Sequence, residues 1–196
     1  MWKRAKYQLS LPVFLLLFIG LLCSCQSEPE PSSLPSLPTY NVVNKSIAEL
    51  QHDLSNGAVT SVVLVERYIE LIHTLDQAGP QYRSVLEINP EAKSIAQTLD
   101  QERASKQIRG PLHGIPILLK DNIDTVDAMP TTAGSLALKG NFASKDSFVA
   151  KQLRAAGAII LGKTNLSEWA NFRSTRSSSG WSAVGGQTLY PFDLTR

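Results

Sequence analysis

A lysine at the end of an apolar run is the residue of this sequence best suited to acid–base chemistry. Lys120 directly follows the run 115–119, which predicts a buried strand that ends at the lysine. Burial disfavours the charged form of a lysine and lowers its pKa, and a neutral amine can take a proton from a serine hydroxyl. The residues alone favour another interpretation, because lysines are seldom buried. In that interpretation Lys120 emerges into solvent and pairs with Asp121 or Asp124.

Other familiar catalytic patterns are missing from the sequence. Residues 180–184, Gly-Trp-Ser-Ala-Val, come nearest to a nucleophile elbow but lack its closing glycine and a preceding strand. The histidines are scattered, and His52 and His73 lie on predicted amphipathic helices while His113 stands apart, so we expect no Ser-His-Asp site. The sequence contains no P-loop, GxGxxG or HExxH pattern. We therefore expect neither a cofactor nor a metal ion.

The elements around Lys120 alternate between helix and strand. Ser46 and Glu49 have the spacing of a capping box, and Asn165 and Glu168 repeat that spacing before Trp169. Hydrophobic periodicity and Gly/Pro punctuation predict helices over 46–57, 60–79, 91–107 and 146–157, the third with Pro90 at its first position and the fourth capped by Asp146. Strands are predicted over 83–88, 115–119 and 158–162. This order indicates an α/β fold with helices on both faces of a mixed or mostly parallel sheet.

The first 25 residues are typical of an export signal. Three basic residues precede the apolar run 11–22, which is too short to span a bilayer. Cys25 follows a small residue and stands three positions after Leu22, a pattern that resembles the bacterial lipobox, whereas Cys23 does not fit it. We therefore predict a lipoprotein signal peptide over 1–25, with lipidation at Cys25. The alternative is an ordinary signal peptide with two incidental cysteines.

Removal of this signal changes what the composition implies. Cleavage before Cys25 lowers Lys+Arg from 19 to 16 against 17 Asp+Glu, so the formal charge falls from +2 to −1 and nothing suggests nucleic-acid binding. A single cysteine would remain, which excludes an internal disulfide. Residues 26–40 are rich in Pro and Ser and predict a tether to the membrane. Gln26, in place of Asp, resembles the outer-membrane sorting pattern, with the protein facing the periplasm.

Four segments, in order and spacing, resemble the amidase signature family. They are GPLHGIPILLKDNIDT at 110–125, TTAGSLAL at 131–138, AGAIILGKTNLSEWANFRS at 156–174 and SGWSAVGGQTLYPF at 179–192. Several long motifs in the expected order are a strong signal where one short motif would be weak. The resemblance covers roughly 46–196 and looks most like the peptide amidase branch. It implies an α/β amidase signature fold, of which 41–196 would be the N-terminal part.

The resemblance also implies a Ser, cis-Ser, Lys triad in which Lys120 is the catalytic lysine. In this chemistry the lysine exchanges a proton with one serine, which activates the nucleophilic serine for attack on a linear amide, and C-terminal peptide amides are the implied substrates. Both serines belong to a Gly/Ser-rich motif that follows the GWSA and GGQT strings in the family, which places it beyond Arg196. The Ser-rich string 177–179 precedes Trp181 and takes no catalytic role.

Two expectations follow from the position of both catalytic serines beyond Arg196. The first is that the parent protein is an anchored amide hydrolase and that the 196 residues alone, with one of three catalytic groups, are inactive. The second belongs to another functional class: a surface lipoprotein that uses an amidase-like shell as a binding or structural module.

Overall fold

A mixed three-stranded sheet organises the part of the chain that the structure describes. The computed structural model describes residues 40–172 and 174–195. Strands β1 (Val85–Ile88), β2 (Pro116–Lys120) and β3 (Ile159–Thr164) lie in the order β1-β3-β2. β2 runs parallel to β3, and β1 runs antiparallel to it. The three predicted strands and the mixed sheet are therefore confirmed, with β3 continuing two residues further than its apolar run.

Four α-helices of the described residues pack around the sheet. They are α1 (Ile47–Ser55), α2 (Ser61–Leu71), α3 (Ala92–Ala104) and α4 (Phe148–Ala155), and a π-helical segment, Ile72–Gln77, prolongs α2. The predicted capping box is present, since Ser46 Oγ accepts from the Glu49 N–H and the Glu49 carboxylate accepts from the Ser46 N–H. Thr60 caps α2 by accepting from the N–H of Val63.

Alternating side chains of β3 pack against helices on opposite faces of the sheet. Ile159 and Leu161 belong to a buried cluster with residues of α2 and α3, whereas Ile160 packs with Leu119 and with Ala150 of α4. Successive strand residues point to opposite faces, so one apolar strand serves two helical layers. This arrangement confirms the predicted helices on both faces.

Strand β2 is less buried than its apolar sequence predicts. Leu119 is buried, but 38% of the surface of Leu118 is exposed. Within the described residues β2 lies at one edge of the sheet, because only β3 pairs with it. One flank of β2 therefore remains open to solvent.

Two predicted helix starts are wrong by one or two residues. Helix α3 begins at Ala92 rather than Pro90, because Asn89 forms a turn in which its side-chain oxygen accepts from Glu91 N–H and its carbonyl from Ala92 N–H. Helix α4 is capped by Ser147, whose hydroxyl accepts from the third N–H of the helix. Asp146, the predicted cap, instead binds Arg154 and the Val126 N–H.

The capping-box spacing of Asn165 and Glu168 does not start an α-helix. Residues Glu168–Asn171 make a single 3-10 turn in which Trp169 and Ala170 have φ values of 50° and 52°. Such left-handed backbone angles cannot continue a right-handed helix. The Asn165 side chain does not cap a helix, because its oxygen accepts from the neighbouring Leu166 N–H and from the Ser182 hydroxyl.

The predictions about export concern residues outside the described part of the chain. The signal peptide 1–25, Cys25 and the linker up to residue 39 all lie there. In the part that the structure describes, no helix is long and apolar enough to cross a bilayer.

Candidate active site

Lys120 occupies the carboxyl end of β2, as predicted. It pairs in parallel register with Thr164 at the end of β3, and its side chain is exposed. The expectation of a desolvated amine is therefore wrong for these residues, because an edge strand leaves its last side chain open to water. The alternative, a solvent-exposed Lys120 paired with Asp121 or Asp124, is correct about the exposure only. Neither aspartate forms an ion pair with Lys120 among residues 40–172 and 174–195.

A tight turn directly after Lys120 fixes the direction of the chain. The N–H of Ile123 donates to the carbonyl of Lys120 over 3.0 Å, and the N–H of Asp121 donates to Thr164 O over 3.1 Å. The second bond extends the β2–β3 pairing by one residue beyond the lysine. The peptide group between Lys120 and Asp121 is thus hydrogen-bonded at both its carbonyl and its N–H.

The side chain of Asp121 turns inward and joins the lysine turn to a second segment, 131–134. Its carboxylate, 1% exposed as a residue, accepts from both the N–H and the hydroxyl of Thr132. Burial raises the pKa of Asp121 above its ordinary value, although the bonds from Thr132 and the nearby Lys163 charge oppose this shift. In addition, the N–H of Ala133 donates to the Asp121 carbonyl over 2.8 Å.

Lys163 is the buried lysine of this region, and the sequence interpretation missed it. It is 0% exposed, and its Nζ donates to the Ile123 carbonyl over 2.7 Å and to Thr131 Oγ1 over 2.9 Å. Burial lowers the pKa of Lys163, while the surrounding carboxylates, led by Asp121, act in the opposite direction. A signal existed in the sequence: Lys163 directly follows an apolar strand run, the same pattern that drew attention to Lys120.

Asn165 holds the end of β3 against a small hairpin formed by β4 (Trp181–Ser182) and β5 (Gly186–Gln187). Its side-chain amide reaches Arg83 O, Gly186 O and Thr188 Oγ1 at 3.0–3.2 Å. Its oxygen accepts from Ser182 Oγ over 2.7 Å. A half-buried amide thus organises the backbone immediately after the residue that pairs with Lys120.

A cleft of about 430 Å³ opens beside the lysine turn. Polar and apolar side chains line it, among them Asn122, Asp124, Thr131, Leu166, Trp169 and Phe172. A second cleft of about 400 Å³ is bounded by Trp169, Trp181 and the Ser-rich loop. In that loop Ser177 Oγ donates to Ser174 O, and no hydroxyl of the described residues is hydrogen-bonded to the Lys120 amine.

The histidines lie away from this region or serve the core. His52 and His73 are exposed, on α1 and on the π-helical segment. His113 is fully buried, where Nε2 contacts Leu99 O at 2.9 Å and Nδ1 accepts from the Arg109 N–H at 3.2 Å. Those two bonds give His113 a structural role. No cluster of three or more potential metal ligands occurs within the described segments.

Known proteins resemble this chain in sequence and in fold. The native peptide amidase of Stenotrophomonas maltophilia matches with a TM-score of 0.76 and 50% identity over 78% of this chain. An amidase family protein of Bacillus anthracis matches with a TM-score of 0.74 and 42% identity, also over 78% of the chain. A Schizosaccharomyces pombe relative, named as an amidase, is 45% identical over 162 residues, or 83% of the chain.

The match covers a limited share of each relative. The chain spans 31% of the peptide amidase, 30% of the Bacillus anthracis protein and 27% of the Schizosaccharomyces pombe relative. Residues 64–196 match the amidase family, and the structural neighbours carry the α/β amidase signature fold. The resemblance read from the motifs is therefore confirmed, and the chain belongs to the amidase signature family.

Proposed function

We propose that the protein acts as an amide hydrolase in which Lys120 is the proton-transferring base. The observation that carries this proposal is the position of Lys120: an exposed amine at a strand end, held by the turn to Ile123, and Asn122 of this turn lines an open cleft. Membership of the amidase family supports hydrolysis of carbon–nitrogen bonds. The proposed substrates are linear amides.

The proposed chemistry uses Lys120 twice. In its unprotonated form, Lys120 first accepts a proton through one serine from the nucleophilic serine, whose oxygen attacks the amide carbonyl carbon. The carbon–nitrogen bond then breaks, and the lysine ammonium returns the proton to the departing amine or ammonia. Water hydrolyses the resulting ester and restores the serine. The family resemblance puts both serines in the segment that follows the GGQT string, and no described residue is assigned either role.

C-terminal peptide amides are the proposed substrate class. A peptide amidase related to this chain binds chymostatin as a competitive inhibitor. The cleft at the turn after Lys120 combines the aromatic side chains of Trp169 and Phe172 with polar groups from Asn122 and Asp124. Aromatic surface suits the side chains of a peptide, and the polar groups suit its backbone.

The full-length protein, including the Gly/Ser-rich segment, provides the test. Ammonia release from a peptide amide should be saturable, and Lys120→Ala should lower kcat by about 10²- to 10⁴-fold, the usual contribution of a positioned base. Lys151→Ala is the matched control, because Lys151 is an exposed lysine on α4 and should leave kcat unchanged. A Lys120→Ala enzyme as active as the control would overturn the assignment.

We also propose that the protein is exported and anchored to a bacterial membrane through a lipid on Cys25, in the outer membrane and facing the periplasm. A lipid anchor at the end of a Pro/Ser-rich tether would hold the domain at the membrane without a spanning helix. Metabolic labelling with palmitate should mark the wild type and Cys23→Ala but not Cys25→Ala. Equal labelling of Cys25→Ala and the wild type would contradict the anchor, and membrane fractionation checks the proposed location.

A further inference from the structure

We infer that Lys163 is a positioning residue for Lys120, holding through its buried ammonium the two backbone segments that aim the exposed lysine. This inference rests on the proposed function of Lys120. The two lysines stand on paired strands, since Lys163 lies opposite Leu119 and Lys120 lies opposite Thr164. One side chain points into the protein and the other is exposed.

The first link runs through the turn after Lys120. Ile123 closes this turn by donating its N–H to the Lys120 carbonyl, and the Ile123 carbonyl accepts from Lys163 Nζ over 2.7 Å. Ile123 thus connects the two lysines, because its N–H binds the Lys120 carbonyl and its own carbonyl binds Lys163 Nζ. Without the ammonium, the Ile123 carbonyl loses a charged donor, and the turn gains freedom to rotate.

The second link runs through residues 131–134. Lys163 Nζ donates to Thr131 Oγ1 over 2.9 Å, and the next residue, Thr132, donates to the Asp121 carboxylate. Asp121 directly follows Lys120. Lys163 therefore holds two segments next to Asp121, the turn closed by Ile123 and the segment that begins at Thr131.

The nature of these contacts argues that the charge serves the site rather than stability alone. Both hydrogen-bond acceptors of Lys163 are neutral, and within residues 40–172 and 174–195 its ammonium forms no direct ion pair. A buried charge without a contacting counter-ion is costly, and an apolar side chain of similar volume would fill the same space at lower cost. What an apolar side chain cannot do is hold two separate backbone segments by directed bonds.

The test compares Lys163→Met with variants that lower stability by another route. Ile160 is a buried neighbour on β3 with no side-chain hydrogen bond, so Ile160→Val and Ile160→Ala provide a reference line of activity against thermal midpoint. In the full-length protein, Lys163→Met should lower kcat at least 10-fold with KM within about 2-fold. At an equal thermal midpoint, the activity of Lys163→Met should lie well below the reference line of the Ile160 variants. A Lys163→Met enzyme on that line would overturn the inference.

Lys120 reactivity provides a measurement that does not require activity. Competitive acetylation followed by peptide mass spectrometry should show the Lys120 rate changed at least 3-fold in Lys163→Met and unchanged in Ile160→Val. Thr131→Val removes one acceptor with little change in volume, and should shift the rate in the same direction even if Lys163→Met fails to fold. An unaltered Lys120 rate in Thr131→Val and in folded Lys163→Met would refute the positioning role. The proposed function fails if the wild type releases no ammonia or if Lys120→Ala stays fully active. In that case the acetylation rates still decide this inference.

Discussion

The buried carboxylate of Asp121 accepts hydrogen bonds from both the backbone N–H and the hydroxyl of Thr132. These bonds tie the residue after Lys120 to the segment 131–134, which packs in turn against the β4–β5 hairpin through Gly134 and Ser182. The ammonium of Lys163 holds the same two segments from inside. Buried polar groups therefore organise the backbone around Lys120 together with the apolar packing of Leu119 and Ile123.

Stability should depend on the ionisation of Asp121. Burial raises its pKa above 3.8, so the folded protein resists ionisation of this group more than the unfolded chain does. The stability that neutral Asp121 contributes is therefore complete below pH 3.8 and is lost as pH rises through the raised pKa. Chemical denaturation from pH 4 upward should show the unfolding free energy of the wild type falling relative to that of Asp121→Asn.

Asp146 provides a control of opposite sign for the Asp121 prediction. Burial acts to raise the Asp146 pKa, but the bonds from Arg154 and the Val126 N–H outweigh it and lower the pKa. Its contribution is present above pH 3.8 and lost as pH falls through the lowered value. The wild type should therefore gain stability relative to Asp146→Asn as pH rises. The same pH trend for both variants would show that the Asp121 assignment is wrong.

Gly157 should not tolerate a side chain. It ends α4 with a φ of 88°, and a Cβ placed there would stand 2.6 Å from the Cα of His113. The left-handed angle and the overlap with backbone should together lower the free energy of unfolding of Gly157→Ala by about 2–4 kcal/mol in urea denaturation.

Gly140→Ala is the matched control for Gly157→Ala. A Cβ on Gly140 would meet no atom within 4 Å, and its φ is not in the left-handed region. We expect this substitution to change the unfolding free energy by less than about 0.5 kcal/mol. Equal effects of the two substitutions would mean that Gly157 does not pack against His113 as described.

Removal of the Asn165 side chain should loosen the β4–β5 hairpin. Asn165→Ala deletes five hydrogen bonds and leaves the Gly186 carbonyl and the Ser182 hydroxyl without this partner. We expect a loss of about 2–4 kcal/mol in unfolding free energy, because buried polar groups left unpaired are costly. Amide hydrogen exchange should accelerate at the Thr188 N–H, which donates to Gly180 O within the hairpin.

The exposed side chain of Asn122, which forms no hydrogen bond within the described residues, offers the comparison. Asn122→Ala should leave both the unfolding free energy and the hairpin exchange rates near their wild-type values. If Asn165→Ala leaves hairpin exchange as slow as Asn122→Ala does, the amide is not what holds the hairpin to β3.

Local patterns were sufficient to predict most of the regular elements. The Ser46–Glu49 box and the apolar runs before Lys120 and Gly162 gave correct elements, because each depends on groups within one helical turn or one strand. The motif order also identified the family correctly. The cap at Ser147 was missed because Asp146, an equally good capping residue, is held by Arg154 from eight positions further along the chain.

The sequence alone determined the family, the alternation of helices and strands, and the place of Lys120 at a strand end. Each of these follows from residues close together in the chain or from motifs in a recognisable order. The tertiary structure alone decided which lysine is buried. Lys120 and Lys163 both end apolar runs, but Lys120 lies on the edge strand β2 and stays exposed, while Lys163 lies on the central strand β3 beneath the turns at Ile123 and Thr131. Burial depends on what packs over a strand end, and that is set by contacts between segments about 30 to 40 residues apart.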